Sequence, residues 1–269
     1  MLFPVTIAGR EVWGLIDNRS EFSVIDTALA EAADLEMRAP SGTFPGPTGR
    51  VEKRQVLDVP VAIPGQFDTR MPALAAVDLQ PLSALHQREI GFVLGRNILS
   101  SMFLFLDTGQ RSAKIMPGGS SRATGGPSPL VLTQGSNLVE LEVRGGTERA
   151  VLDLALGAGI HVSPAAYARL QPDALPTTRV NPTRKLDGTV RIGPLSGRDP
   201  PLVIAPVEDG EAEIAIGLPM FRNSVLLIDF AQEKLWLLPS APTRPVGEDA
   251  SAESTPAAVG ESPPGPQAG

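Results

Sequence analysis

Two aspartates occupy the same place in a repeated pattern. Phe3-Pro-Val-Thr-Ile-Ala-Gly9 leads through Val12-Trp-Gly-Leu-Ile16 to Asp17, and Val139-Glu-Leu-Glu-Val-Arg-Gly145 leads through Ala150-Val-Leu152 to Asp153. Gly9 to Asp17 and Gly145 to Asp153 are each eight residues. Carboxylates are acid–base groups, so the question is what the fold does with these two. Other chemistries have less to stand on. The chain has no cysteine, which excludes disulfides, thiolate catalysis and cysteine metal sites. Its two histidines, His86 and His161, are isolated and lack partners at metal-ligand spacing, so no metal site is expected. No G-x-S-x-G elbow is present for a serine nucleophile. The Gly157-Ala-Gly159 step lacks the Lys-Ser/Thr of a phosphate loop. No cofactor is called for.

The elements around each aspartate repeat as well. Alternating apolar residues predict a strand, a glycine-centred turn and a second strand ending at the Asp. A short apolar strand follows, Phe22–Ile25 or Gly159–Val162, and then a small helix. Asp26 caps Thr27–Leu35 in the first copy; Ser163-Pro164 opens Ala165–Leu170 in the second, with one residue inserted. Each block closes alike. Gly95 precedes Asp107 by twelve residues and Gly217 precedes Asp229 by twelve. Between these landmarks, Pro47-Thr-Gly49-Arg-Val51 and Leu186-Asp-Gly188-Thr-Val190 both read as hairpin tips. Agreement of independent spacings implies duplication and a pseudo-two-fold arrangement. The expected organisation is a lobe over 1–116, a Pro/Gly/Ser-rich linker over 117–130, a second lobe over 131–240 and a disordered Pro-rich tail over 241–269.

Composition bounds the rest. The chain is 42% hydrophobic with nine Phe, two Trp and one Tyr, so its core must be mainly Leu, Val, Ile and Ala. A net charge of −7 offers no footprint for nucleic acid. No apolar run approaches a membrane span. Met1-Leu2-Phe3-Pro4 reads as the start of a strand with no signal peptide before it. The expectation is a cytoplasmic protein, or an exported one if the given chain lacks its true beginning.

This order of elements resembles the retropepsin-like aspartic proteases, over almost all of 3–116 and 138–239. The resemblance implies a mainly β, two-lobed acid-protease-like barrel fold with short helices, both lobes in one chain. It implies one catalytic Asp per lobe, meeting at the pseudo-two-fold axis, and Asp17 and Asp153 match that dyad. Two carboxylates about 3 Å apart cannot both ionise, so they share a proton; one acts as base on a water and the other as acid toward the scissile carbonyl. The ligand would be a peptide or unfolded protein segment in the inter-lobe cleft, under flaps for which Gly49 and Gly188 are the candidates. A monomer is expected.

The sequence departs from the family pattern after both aspartates. Family members follow the Asp with Thr or Ser and then Gly. Here Asn18-Arg19 follows Asp17 and Leu154-Ala155 follows Asp153. Asn18 could supply the cross-axis hydrogen bond of the missing hydroxyl; Leu154 cannot. Arg19 and Ala155 would be strained if their positions required positive φ. Arg19 also sets a cation beside Asp17, favouring the ionised form. The alternative is therefore a catalytically inactive pseudo-protease serving as a peptide-binding or scaffold module. Asp107-Thr108-Gly109 spells the intact motif, but its place in the repeat is that of Asp229 in a closing hairpin turn, which predicts a structural role.

Overall fold

The computed structural model describes residues 1–40, 42–46, 49–52, 54–119, 130–132, 137–173, 183–207 and 212–240. The first half runs β1 (Leu2–Ile7), β2 (Arg10–Ile16), β3 (Val24–Asp26), α1 (Thr27–Ala32), β4 (Thr43–Gly46), β5 (Gly49–Glu52), β6 (Arg54–Ile63), β7 (Phe67–Val77), α2 (Gln80–His86), β8 (Ile90–Leu94), α3 (Arg96–Leu99), β9 (Met102–Asp107) and β10 (Ser112–Pro117). The second runs β11 (Leu130–Val131), β12 (Leu138–Val143), β13 (Gly146–Asp153), β14 (Ile160–Val162), α4 (Pro164–Leu170), β15 (Thr183–Lys185), β16 (Thr189–Ile192), β17 (Leu195–Arg198), β18 (Pro201–Ile204), β19 (Ile214–Gly217), a 3₁₀ turn (Leu218–Phe221), β20 (Ser224–Asp229) and β21 (Lys234–Pro239). The fold is mainly β, as expected.

Local chemistry explains the opening hairpins. In β1, Phe3, Val5 and Ile7 are buried and alternate with more exposed residues, the mark of a half-buried strand. Ala8 and Gly9 then both take positive φ, as do Arg144 and Gly145 between β12 and β13. Two successive positive-φ residues form the hairpin turn whose twist suits the flanking strands. The capping expectations also hold. The Leu29 amide donates to the Asp26 carboxylate at 3.0 Å, and the Ala166 amide to the Ser163 hydroxyl at 3.0 Å. Helix α1 is shorter than the sequence predicts, ending at Ala32 with Asp34 at positive φ.

The two halves share one topology. In the first, six strands close a barrel in the order β1-β2-β8-β3-β7-β6. In the second, β12-β13-β19-β14-β18 repeats the order β1-β2-β8-β3-β7 within an open eight-stranded sheet. The sense of pairing repeats too. β2–β8 and β13–β19 are parallel, β3–β8 and β14–β19 antiparallel, β3–β7 and β14–β18 parallel. A third sheet, β10-β9-β20-β21-β11, joins the halves. There Phe105 lies directly opposite Leu227, its own counterpart in the closing repeat, so the pseudo-two-fold axis passes through that pair. Leu104, Leu106, Leu226 and Ile228 of this sheet belong to one buried cluster with residues of both halves.

Pro117 is the last residue of β10 and Leu130 the first of β11, so the predicted linker is bounded by strands; 120–129 lie outside the described residues, as does the predicted tail over 241–269. Among the described residues no helix is long and apolar enough to cross a membrane.

Candidate functional site

Both aspartates stand where a parallel strand pair ends. The Asp17 amide donates to the Leu94 carbonyl at 3.1 Å, just past β2, and Asp153 pairs with Gly217 at the end of β13. The chain then turns back over its own carboxylate. Asp17 Oδ1 accepts from the Arg19 amide at 2.9 Å and the Ser20 amide at 3.1 Å. Asp153 Oδ1 accepts from the Ala155 amide at 2.9 Å and the Leu156 amide at 3.0 Å. These turns need no glycine, since neither Arg19 nor Ala155 has positive φ. The condition under which Arg19 and Ala155 would be strained, a positive φ, is not met at either position.

The glycines that matter sterically come later in the chain. A Cβ on Gly95 would lie 2.5 Å from the Phe22 carbonyl carbon and oxygen. A Cβ on Gly217 would collide with the Leu156 and Ala158 carbonyl oxygens. Each late glycine therefore lets its strand lie directly against the loop that follows the aspartate.

The loops are tied across the halves by Asn18, which is fully buried. Its Nδ2 donates to the Leu152 carbonyl at 2.7 Å, and its Oδ1 accepts from the Leu154 amide at 2.8 Å. One amide thus grips the backbone on both sides of Asp153. Leu154 returns no side-chain bond; it is 1% exposed and packs in the core. Its carbonyl accepts from the Met1 nitrogen at 2.6 Å, and the Asn18 carbonyl accepts from Asn137 Nδ2 at 3.0 Å. Sequence reasoning missed Asn137. Its signal was a polar residue directly before the apolar strand β12, at the place of Met1 in the repeat.

Arg19 is placed differently from the sequence expectation. Its guanidinium reaches across to Asp153, with Nη1 3.6 Å from Oδ2. Even so, Asp153 titrates above the usual carboxylate range. Burial is the largest cause and the charge of Asp17 the next; Arg19 and the Ala155 and Leu156 amides pull the other way without prevailing. Burial and a like charge together outweigh the cation.

The flap candidates divide. Gly49 lies opposite Gly46 in the antiparallel β4–β5 ladder, and the expected tip residues 47–48 lie outside the described residues. Gly188 is not a hairpin tip. The chain turns at Gly193, between β16 and β17, and Gly188 sits at the base of that hairpin, its amide donating to Asp199 Oδ1 at 2.7 Å. Gly188 has φ +105, a bend that separates β15 from β16, which pair with different partners.

Asp107 is structural. Its Oδ1 accepts from the Ser240 hydroxyl at 2.6 Å, Gln110 at 2.9 Å and Gly109 at 3.0 Å. The Ser240 and Gln110 contacts, ahead of Gly109, hold its carboxyl below the usual range. Thr108 Oγ1 bonds the Phe221 and Ser224 carbonyls. The motif here stitches the β9–β10 turn to the second half. No family model matches this sequence, and no curated protein matches it.

Proposed function

We propose that Asp17 and Asp153 form the dyad of an aspartic-type peptidase acting on a peptide or unfolded segment held between the lobes. The observation that carries this reading is the Asn18 grip, which ties the two carboxylate-bearing loops together without either family hydroxyl. The acidity of Asp153 supports it. A dyad needs one carboxyl that keeps its proton while its partner is ionised, and burial with the charge of Asp17 favours a proton on Asp153. The pair would titrate as a unit.

In this scheme Asp17 takes a proton from a water whose oxygen attacks the scissile carbonyl carbon. Asp153 gives its proton to the carbonyl oxygen. The tetrahedral intermediate then collapses with proton transfer to the departing amine, yielding a carboxylic acid and an amine. Both acids come from one chain, so a monomer suffices. A specific observation favours a second reading. The Arg19 guanidinium faces Asp153 Oδ2, an oxygen the dyad would turn toward substrate. If Arg19 stays there when peptide is bound, the protein binds peptides without cleaving them.

The test is cleavage of an unfolded protein at pH 4–5 by the full chain, by Asp17→Asn and by Asp153→Asn, with and without pepstatin. Pepstatin-sensitive cleavage lost in both variants is expected. Equal rates for all three proteins would sink the peptidase reading.

A further inference from the structure

Strand registers put one residue on the aspartate-bearing face of the second half that breaks the symmetry. Side chains of directly paired residues share a face, and residues two apart on a strand share it too. In the first half, Leu15 pairs with Val93 and Val93 with Val24, so Val24 lies on the face of Leu15 and Asp17. In the second half, Val151 pairs with Ala215 and Ala215 with His161, so His161 lies on the face of Val151 and Asp153. His161 is the counterpart of Val24.

The two positions have different surroundings. Val24 is 6% exposed, in a cluster with Leu15, Ala75, Val77, Leu79 and Val93, against which Leu82 of α2 also packs. No helix stands between β18 and β19 among the described residues, and His161 is half-buried. Among the described residues its ring makes no hydrogen bond. Asp153 lies within its electrostatic reach, although burial holds the imidazole pKa below its ordinary value. A half-open ring with an unused donor and acceptor, beside the dyad, is equipped to meet a polar ligand atom.

We infer that His161 is a specificity-determining residue: it makes the second-half side of the cleft select a peptide side chain bearing an acceptor oxygen, carboxylate or carboxamide. This rests on the peptide-binding reading above. A site with a hydrogen-bonding group rejects a ligand that leaves it unpaired, whereas an apolar wall discriminates weakly.

The test measures binding, so it does not depend on cleavage. Fluorescein-labelled peptides with a central statine are varied one position at a time on either side to Leu, Gln or Glu. Affinities are measured by polarisation for the full-length protein, for His161→Val, which copies the first half, and for His161→Gln, which keeps a hydrogen-bonding group. The wild type should bind Gln or Glu about tenfold tighter than Leu at one position on one side only. His161→Val should abolish or reverse that preference and leave the other side unchanged, while His161→Gln retains it. Comparison of Glu with Gln identifies which oxygen is preferred. If peptides bind and His161→Val leaves the preference where it was, this inference alone falls. If no peptide binds, the peptide-binding reading falls and takes this inference with it.

Discussion

Replacing Asn18 by Leu removes both side-chain bonds of the grip while keeping a side chain branched at Cγ. The Leu152 carbonyl and the Leu154 amide would then lose their partners, at residues 0% and 1% exposed. A buried polar group left unpaired costs about 1–3 kcal/mol, so the two together cost about 2–6 kcal/mol. At about 2–4 °C per kcal/mol for a body of this size, the melting temperature should fall by roughly 5–20 °C. Thr is shorter but can both donate and accept, so Asn18→Thr should lose less. Asn18→Asp can accept from Leu154 but, when ionised, cannot donate to Leu152, and it adds a third negative charge beside Asp17 and Asp153. Its loss should be largest at neutral pH and shrink in acid, where a protonated carboxyl regains the donor. The assay is urea unfolding of the four proteins at pH 7 and pH 4. An Asn18→Leu protein within about 0.5 kcal/mol of wild type, the range of an ordinary surface change, would refute the claim that this amide holds the loops.

Asp153→Asn should raise the melting temperature at pH 7, because the raised Asp153 pKa means that the folded state resists its ionisation. That cost is absent below the unfolded carboxylate pKa and grows as pH rises through the folded one, so the gain should vanish in acid; a lower melting temperature at pH 7 would contradict it. Gly95→Ala and Gly217→Ala should each cost at least about 1–3 kcal/mol through overpacking against backbone, whereas Gly157→Ala, with nothing within 4 Å of its Cβ, should be nearly neutral in the same denaturant titrations. Asp107→Asn should leave any dyad activity intact and lower stability at neutral pH. Since the Asp107 pKa is depressed, that deficit should be present above the unfolded pKa and fade as pH falls through the folded one, as read from melting curves across pH.

What the sequence disclosed followed from spacing. The matched glycine-to-aspartate intervals located both ends of β2 and β13 and separated Asp107 from the dyad positions, because hairpins and caps are set within a few residues. What it hid depends on partners far along the chain. Asp187-Gly188 has the composition of a hairpin turn, yet its neighbours β15 and β16 pair with β18 and with β12 and β17, so Gly188 bends the chain without reversing it. Arg19 is two residues from Asp17 in sequence, yet its guanidinium pairs with Asp153, reached only through the packing of the halves. Whether residues 19 and 155 need positive φ is likewise not legible in the sequence; the turns at Asp17 and Asp153 close with amides two and three residues ahead, and neither Arg19 nor Ala155 has positive φ.

The changes at positions 18 and 154 are best understood together. A carboxamide carries its donor and its acceptor on different atoms, so Asn18 can bond the carbonyl before Asp153 and the amide after it at the same time. With both ties made from one side, residue 154 is relieved of a polar duty and can be a core leucine. Arg19 and Ala155 differ in the same sense: one half supplies a cation for the carboxylate of the other, and the other half supplies only a methyl group, which packs against the Leu15–Val24 cluster. The first half therefore supplies the side-chain bonds to the backbone on either side of Asp153, and the second half answers with Asn137, whose Nδ2 donates to the Asn18 carbonyl. Such a division secures the position of the two acids without fixing their charge. At 3.6 Å the Arg19–Asp153 contact is too long for a hydrogen bond, and the arginine side chain retains 27% exposure. The two readings proposed above therefore share one framework and differ in whether the guanidinium stays at Asp153 Oδ2 when peptide enters.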